Sequence, residues 1–507
     1  MAGVLRVPLH SGSRLPVATL PDDAVLVAPP PPLEPLVDIR AAVAEAFRYP
    51  LSGPALSAVA PRGGRATVVV QPPGLPLPAV EQDPRRDVLA AVLDELELHG
   101  VPRERHTVLV AGGLRRRAGR RELEVLLRPD RARGFRGQIA VHDCEADDLR
   151  PLEISGQVHR VHPALVETDL VVTVGAGETV LHGGAAALVD ACGPGTIRRA
   201  GAVSLLEAAS ASGWRLAAAL ESALQEQIPV LGLSVVLDRP RVTGLYRGYP
   251  SDPDVRRAVA RSPFRLLLNL APGSIRRRLL TGVSRELTVI AALAGPPSVA
   301  HVEALLRGIS VRSVEIDRQF DTIVVPLPWE GPQLPRAPLD PLSATAFGLG
   351  HALRLWRERP PLVEGGTIVL LHPFSRVTGH GPQATSRALV TALRDEGGRR
   401  LRAAEGVVAR DRRALSAYRR GTAPHPRLPF ADWESCAPML ERAGRVIVAG
   451  CRDAGAARAL GLVPSHNVAT ALDMARGLAG ESATTGVLLG PPYAAMVVAD
   501  SAAAGAN

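Results

Sequence analysis

Short apolar runs rich in Val, Leu and Ile punctuate the chain from residue 66 onward, and segments with three-and-four apolar spacing lie between them. The runs predict buried parallel strands at Thr67–Val70, Thr107–Ala111, Ile139–His142 and Leu170–Val174. Later ones fall at Thr288–Leu293, Thr322–Pro326, Thr367–Leu371 and Arg445–Ala449. Val230–Leu237 and Val242–Arg247 read as an antiparallel pair turned by Asp238-Arg239-Pro240. Helical spacing marks Val37–Phe47, Asp87–His99 (closed by Gly100), Arg121–Leu127, Pro163–Glu167 and Val203–Gln225, the last with a break at Gly213. It also marks Ala344–Arg357, Ser386–Asp395 and Trp433–Ala443. Strands alternating with helices in both halves imply an α/β protein of two doubly wound domains with a ligand cleft between them.

The expected divisions are a proline-rich N-terminal segment (1–60), a first α/β domain (61–255), a connecting segment (256–285), a second α/β domain (286–498) and a disordered tail (499–507). A chain of 507 residues has length enough for several cores.

Composition changes the picture in two places. The chain is basic, with net charge +9, yet every one of its 59 basic residues is arginine. The arginines are dispersed among acids, which reads as a solvated surface. Aromatics at 3% leave no stacking platform for single-stranded nucleic acid. Without lysine there can be no Schiff base, no P-loop lysine and no lysine-tethered cofactor. The cysteines, Cys144, Cys192, Cys436 and Cys451, have no metal-binding spacing and no disulfide framework. With no basic-then-apolar leader and no apolar run near ~18 residues, a cytoplasmic protein without membrane or nucleic-acid partners is expected.

Candidate chemistry gathers where the Leu170 strand breaks into glycine: Gly175, Gly177, Gly183-Gly184 and Gly193-Pro194-Gly195. Ligands of α/β proteins bind at the carboxyl ends of strands, and glycine lets backbone N–H groups approach an anion. Arg115 and Arg116, just beyond Gly112-Gly113, could hold a carboxylate or phosphate in a bidentate fork. His182 borders the glycine pair, His142-Asp143 ends a strand, and His372 and His380 follow the Thr367 strand. His159 and His162 lie three apart without carboxylates, poor geometry for a metal.

Several phrases, in order, resemble the nickel-dependent lactate racemase family: VVVQPPGLPLP (68–78), AGGLRRR (111–117), VHDCEADDL (141–149) and TDLVVTVGAGETVLHGG with GPGTI (168–197). The likeness continues through LSVVLDRPRVTGLYRG (233–248), FDTIVVPLPWEGPQLPRAPLD (320–340), VEGGTIVLLHPFSRVTGHG (363–381) and LGLVPSHNVATALDMA (460–475). It implies the family's two-domain fold and racemisation of a 2-hydroxy acid by hydride transfer to a nickel pincer nucleotide, an isomerase activity. Carried over by position, the family's phosphate-binding Asp and Arg fall at Pro72 and Leu75, and its tethering lysine at Asp190. Its histidines fall at Arg115, Val180 and near Gly201, and its substrate-contacting Gln and Lys near Thr345 and Gly348. Gly175, Glu178, Arg116 and Pro194-Gly195 are kept.

Three readings follow. One is a racemase or epimerase with the pincer, opposed by the missing lysine and histidines. A second is a pseudoenzyme that keeps the cleft for a small anionic ligand, a hydroxy acid or nucleotide, held by Arg115 and Arg116 with His142, Gly175, Glu178, Gly183, Gly184 and His372 around it. A third is new chemistry built on His182, Asp190 or the His372 and His380 pair. The resemblance supplies no metal ligand that this chain retains.

Overall fold

The structure is a computed structural model that describes residues 4–36, 38–72, 83–124, 126–127, 133–283, 285–329, 331, 338–375, 386–396, 400–480 and 483–499. Residues 73–78 of the proline loop, His380 and the tail from residue 500 lie outside the described residues. Its two large sheets are built from thirteen strands. In chain order these are β1 (Ser11–Gly12), β2 (Val25–Val27), β3 (Ala66–Val70), β4 (His106–Val110), β5 (Gln138–Val141), β6 (Leu170–Ala176), β7 (Val230–Leu237), β8 (Val289–Gly295), β9 (Phe320–Pro328), β10 (Leu362–Leu371), β11 (Arg445–Ala449), β12 (Val463–Ser465) and β13 (Thr485–Leu488). The helices that bear on the argument are α1 (Ile39–Arg48), α2 (Arg85–Leu98), α3 (Ser212–Gln225), α4 (Pro253–Arg261), α5 (Pro263–Leu270), α6 (Gly273–Thr281), α7 (Pro297–Arg312), α8 (Pro341–Leu349) and α9 (Val468–Ala479).

The first sheet has the order β8-β7-β6-β3-β4-β5, parallel except where β8 runs antiparallel to β7. Its central strands β3, β6 and β7 are buried on both faces, which is why they read as nearly unbroken apolar runs. Val68, Val70 and Val172 pack under α1 and α2 through Val43, Phe47, Val88 and Val92. Val69, Leu109 and Val171 point the other way, toward Ala217, Leu220 and Leu224 of α3. The second sheet is parallel throughout, in the order β12-β11-β10-β9-β13-β2, with β1 beside the end of β9. Helices or helical segments cover both of its faces too: α8 lies with Ile323, Val325 and Ile368, and α9 with Val324, Val369 and Ile447. The α/β class and its parallel, doubly wound sheets are as expected.

The structure corrects the strand assignments in three places. Val230–Leu237 does not turn back on Val242–Arg247. It pairs with β6 and β8, Arg241–Val242 pairs instead with Arg285–Glu286, and Gly244–Tyr246 is a 3-10 turn. The strand expected to open the second series is β8, an edge strand of the first sheet, and α7 packs back onto β7. The proline-rich start supplies β1 and β2 to the second sheet. Local pattern marks an apolar strand but does not name its partner, so the sheets interleave along the chain where 60 and 286 had been expected as boundaries. Ala344–Arg357 is not one helix either. It is α8, a break at His351, a 3-10 turn and a two-residue strand.

Strand order fixes where ligands can enter. In the first sheet the winding reverses between β3 and β6, so the crevice at their carboxyl ends is the topological switch point. In the second it reverses between β9 and β13, where buried Tyr493 donates its hydroxyl to the Pro326 carbonyl at 2.5 Å and closes the gap.

Candidate functional site

Gln71 leaves β3 at this switch point and cross-links its walls. Its amide oxygen accepts from the Gly183 N–H (2.6 Å) and its Nε2 donates to Asp190 Oδ2 (2.5 Å). Asp190 is held further by Gly113, whose N–H donates to the Asp190 carbonyl at 3.0 Å. Gly113 has φ +56°, and a Cβ there would lie 2.5 Å from Asp190 Oδ1, so the close approach requires glycine. Burial raises the Asp190 carboxyl above its ordinary range, with Arg115 and the Gln71 hydrogen bond pulling the other way.

Arg115, at the end of β4, forks over one atom. Both terminal nitrogens lie near His182 Nδ1, at 3.3 and 3.2 Å. A guanidinium only donates, so Nδ1 is the acceptor, and the proton of a neutral His182 sits on Nε2. Burial, followed by the Arg115 and Arg85 charges, holds the His182 pKa well below 6.5, which keeps the ring neutral. Nε2 faces Glu178 Oε2 at 3.9 Å. Glu178 Oε1 accepts from Arg85 at 3.0 Å, and Arg85 also grips Asp83 at 2.7 Å. Burial pushes the Glu178 carboxyl up to about 7 against the pull of Arg85 and Arg312. The result is a chain of polar groups, Arg115–His182–Glu178–Arg85–Asp83, along the carboxyl end of β6. Among the described residues no carboxylate lies within ion-pair distance of Arg115, whose partner is a neutral ring.

The glycine loop is shaped by packing. Gly183 (φ +100°) and Gly184 (φ +51°) lie against His301 of α7, where any Cβ would come within 2.4 and 2.3 Å of its ring and stem. The His301 Nε2–H donates to the Thr179 carbonyl at 3.0 Å, and Trp214 stacks on the ring. Gly175 packs on the Gly183 backbone. Arg312, also of α7, donates to the Gly177 carbonyl at 2.7 Å. Its Nη1 and Glu178 Oε2 are buried without hydrogen-bond partners. Both residues line a cavity of about 20 Å³ with Arg239, Leu355 and Tyr493, so groups around both sheets meet there. That volume suits one water.

The structure separates the remaining sequence candidates. Arg116 does not join Arg115 in a fork: it pairs with Glu122 and donates to the Arg117 and Gly421 carbonyls at 3.2 Å. His142 is buried, with Nε2 2.8 Å from the Cys192 carbonyl, and ties the end of β5 to a neighbouring turn. Burial lowers its pKa to about 3. His372 ends β10 in the second sheet, edge-on to Phe374 and beside Gly12. His159 bonds Thr196 and His162 caps the Pro163 turn. Four contributors were not expected: Gln71, Arg85, His301 and His351. His351 is buried against Phe347 with Nε2 unpartnered, and the charge of Arg115 bears on its pKa. Gln71 alone had a legible signal, a polar residue directly after the three valines that end β3.

The positions that resembled the racemase family's cofactor site can be tested on this geometry. The lysine position is Asp190, half-buried and hydrogen-bonded, and a carboxylate cannot form a lysine's linkage. Val180, at a histidine position, is fully buried in an apolar cluster with Leu305 and Ile309. A lysine-tethered nickel nucleotide does not fit these residues. Among the described residues, no three His, Cys, Asp or Glu side chains are grouped so as to hold a metal ion.

Residues 12–184 match the lactate racemase N-terminal domain. Among solved structures, the lactate racemase apoprotein from Thermoanaerobacterium thermosaccharolyticum aligns over 98% of this chain and 100% of its own, with TM-score 0.59 and 15% identity. A protein from Thermotoga maritima aligns over 93% of this chain and 100% of its own, with TM-score 0.47 and 10% identity. No curated protein matches the chain. The first structural likeness speaks for the fold of the whole chain, and the domain match covers about a third of it.

Proposed function

We propose that this chain, whose residues 12–184 match the lactate racemase N-terminal domain, is a binding protein for a small carboxylate-bearing anion and does not run that family's lysine-tethered nickel chemistry. The observation that carries this reading is Arg115. It stands at the switch point, half-buried, with a neutral imidazole as partner and no carboxylate in ion-pair distance among the described residues. A half-buried guanidinium whose fork is occupied by one ring nitrogen gains two charge-assisted hydrogen bonds when a carboxylate replaces that nitrogen. His182 would then be free to turn its Nδ1 to the ligand. The anchored Gly183 N–H and the Gln71 amide keep the opposite wall in place.

The test is calorimetric titration of lactate, pyruvate and inorganic phosphate into the wild type and into Arg115→Ala. Wild type should bind at least one carboxylate, and Arg115→Ala should weaken that binding about 10- to 100-fold, as expected for loss of a charge-assisted pair. Absence of binding by any of these anions, or equal binding by both proteins, would defeat the proposal. Metal analysis of the native protein and chiral assay of lactate supply the independent check: stoichiometric nickel with racemisation would restore the enzymatic reading.

A second reading is favoured by Glu178, raised to about 7 beside neutral His182. A carboxyl near neutrality and an imidazole 3.9 Å apart are an acid–base pair of the kind enzymes use. If turnover of a bound acid is found, Glu178→Gln should abolish it while leaving Arg115-dependent binding within a few-fold of wild type. Unchanged turnover in Glu178→Gln would rule the pair out.

A further inference from the structure

Helices α4, α5 and α6 follow the first sheet's β7 and precede β8, and two of them are turned inside out. In α5 the residues facing the protein are polar: Asn269 Oδ1 accepts from the Leu15 N–H at 2.8 Å, Asn269 Nδ2 donates to the Leu15 carbonyl at 3.0 Å, and Arg265 reaches the same carbonyl. Leu268 is the one buried apolar side chain of that helix. At about 100° per residue, Phe264, Leu266, Leu267 and Leu270 share roughly 160° of arc on the other side. They are exposed to 50%, 54%, 65% and 83%. The pattern repeats in α6. Arg276 is the buried residue, donating to Ser13 Oγ and the Ala271 carbonyl, while Ile275 and Leu279 are exposed. Two successive helices thus turn large apolar residues outward, which a solvated surface does not explain.

The charges on these helices say what covers them. Residues 255–285 hold eight arginines and no Asp or Glu. Arg257, Arg261 and Arg278 of these three helices are exposed. Asp252 caps α4 and Asp254 pairs with Arg257, so neither acid reaches the later helices. A second copy docked by twofold symmetry would set this arginine-rich face against itself, which like-charge repulsion opposes. Leucines and a phenylalanine outward, exposed arginines on the same helices and polar groups tied down beneath are the features of a helix that lies in a membrane interface. We infer that α5 and α6 form a peripheral docking face for an anionic lipid surface. Among the described residues no helix is long and apolar enough to cross a membrane, and lying on a surface needs none.

The experiment is flotation of the full chain with phosphatidylcholine vesicles, with and without phosphatidylglycerol. Wild type should float with phosphatidylglycerol vesicles, and binding should fall as salt is raised. Leu267→Glu with Leu270→Glu should cut the bound fraction about tenfold while thermal unfolding stays as in wild type, because both side chains are exposed. Arg261→Glu with Arg278→Glu leaves the apolar arc intact and should also lose binding. No flotation with phosphatidylglycerol, or flotation unchanged in both double variants, would overturn the inference. So would a dimer in sedimentation that the leucine variant converts to monomer. A protein partner released by the same leucine changes, with no flotation, would assign the face to that protein instead.

Discussion

Glu178 is where burial and charge compete most directly. It sits under Arg85 and beside His182, and burial wins, raising its carboxyl from 4.5 to about 7. Between those values the folded protein keeps a proton that the unfolded chain releases. Stability contributed by Glu178 is therefore full below pH 4.5 and is lost as pH rises toward 7. Glu221, buried under Ser298 and also raised to about 7, acts in the same sense. Five histidines, His10 half-buried and the others buried, act in the opposite sense. His10 and His301 are lowered to about 4, and His142, His351 and His372 to about 3, all by burial. From pH 4 to 6.5 the unfolded chain binds protons that these rings refuse, so their contribution is lost on acidification and recovered as pH rises. His159, His162 and His182 are lowered as well and Asp190 is raised, so lowered rings outnumber raised carboxyls and stability gains on net as pH rises across 4.5 to 6.5. Glu178→Gln removes one opposing contribution and should gain on wild type progressively over pH 4.5 to 7. Urea midpoints at each pH measure this; a difference between the two proteins that stays constant with pH would show that Glu178 does not titrate there.

One contact that shapes the site is the glycine pair against α7. Gly184 at φ +51° already disfavours a side chain, and a Cβ there would meet His301 and the Pro297 carbonyl at 2.3 and 2.7 Å. Gly184→Ala should cost about 1–3 kcal/mol from overpacking and left-handed strain together, read as a lowered Tm. A Tm shift indistinguishable from zero would mean that α7 can back away from the loop. This contact also marks how far the chain could be read in advance. β3, β6 and the glycine loop were legible because a buried strand and a break to glycine are local patterns. His301 was not, because it lies 117 positions beyond Gly184, on a helix that follows a strand expected in the other sheet. Arg116 misled for a similar reason. Two adjacent arginines look equivalent, and only Glu122 and the Gly421 carbonyl show that one is already occupied. Inside-out α5 was equally hidden, since periodicity identifies an apolar face without saying which way it points.

At the scale of the molecule the two sheets share packing instead of standing apart. Val180, Leu205, Leu305 and Ile309, from elements around the first sheet, pack into the apolar cluster of the second with Ile323, Phe347 and Leu353. The N-terminal segment crosses the other way. The hairpin of Val4–Pro8 and Val17–Pro21 lays Val7, Ala18 and Leu20 over Val324, Val369, Ile447 and α9, and β2 closes the sheet edge beside β13. The segment is thus core of the second sheet, although it precedes every strand of the first. Leu20, at 2% exposure, tests this arrangement. If the hairpin is integral, Leu20→Ala should destabilise the protein by about 2–5 kcal/mol, the range for a buried leucine truncated in a packed core. Hydrogen exchange should locate the loss, with the amides of β9, β10 and β13 losing more protection than those of β3 and β6. A cost below about 0.5 kcal/mol, the range of surface changes, would mean that the hairpin is dispensable. A loss of protection spread equally over both sheets would mean that the shared cluster makes the whole chain one cooperative unit.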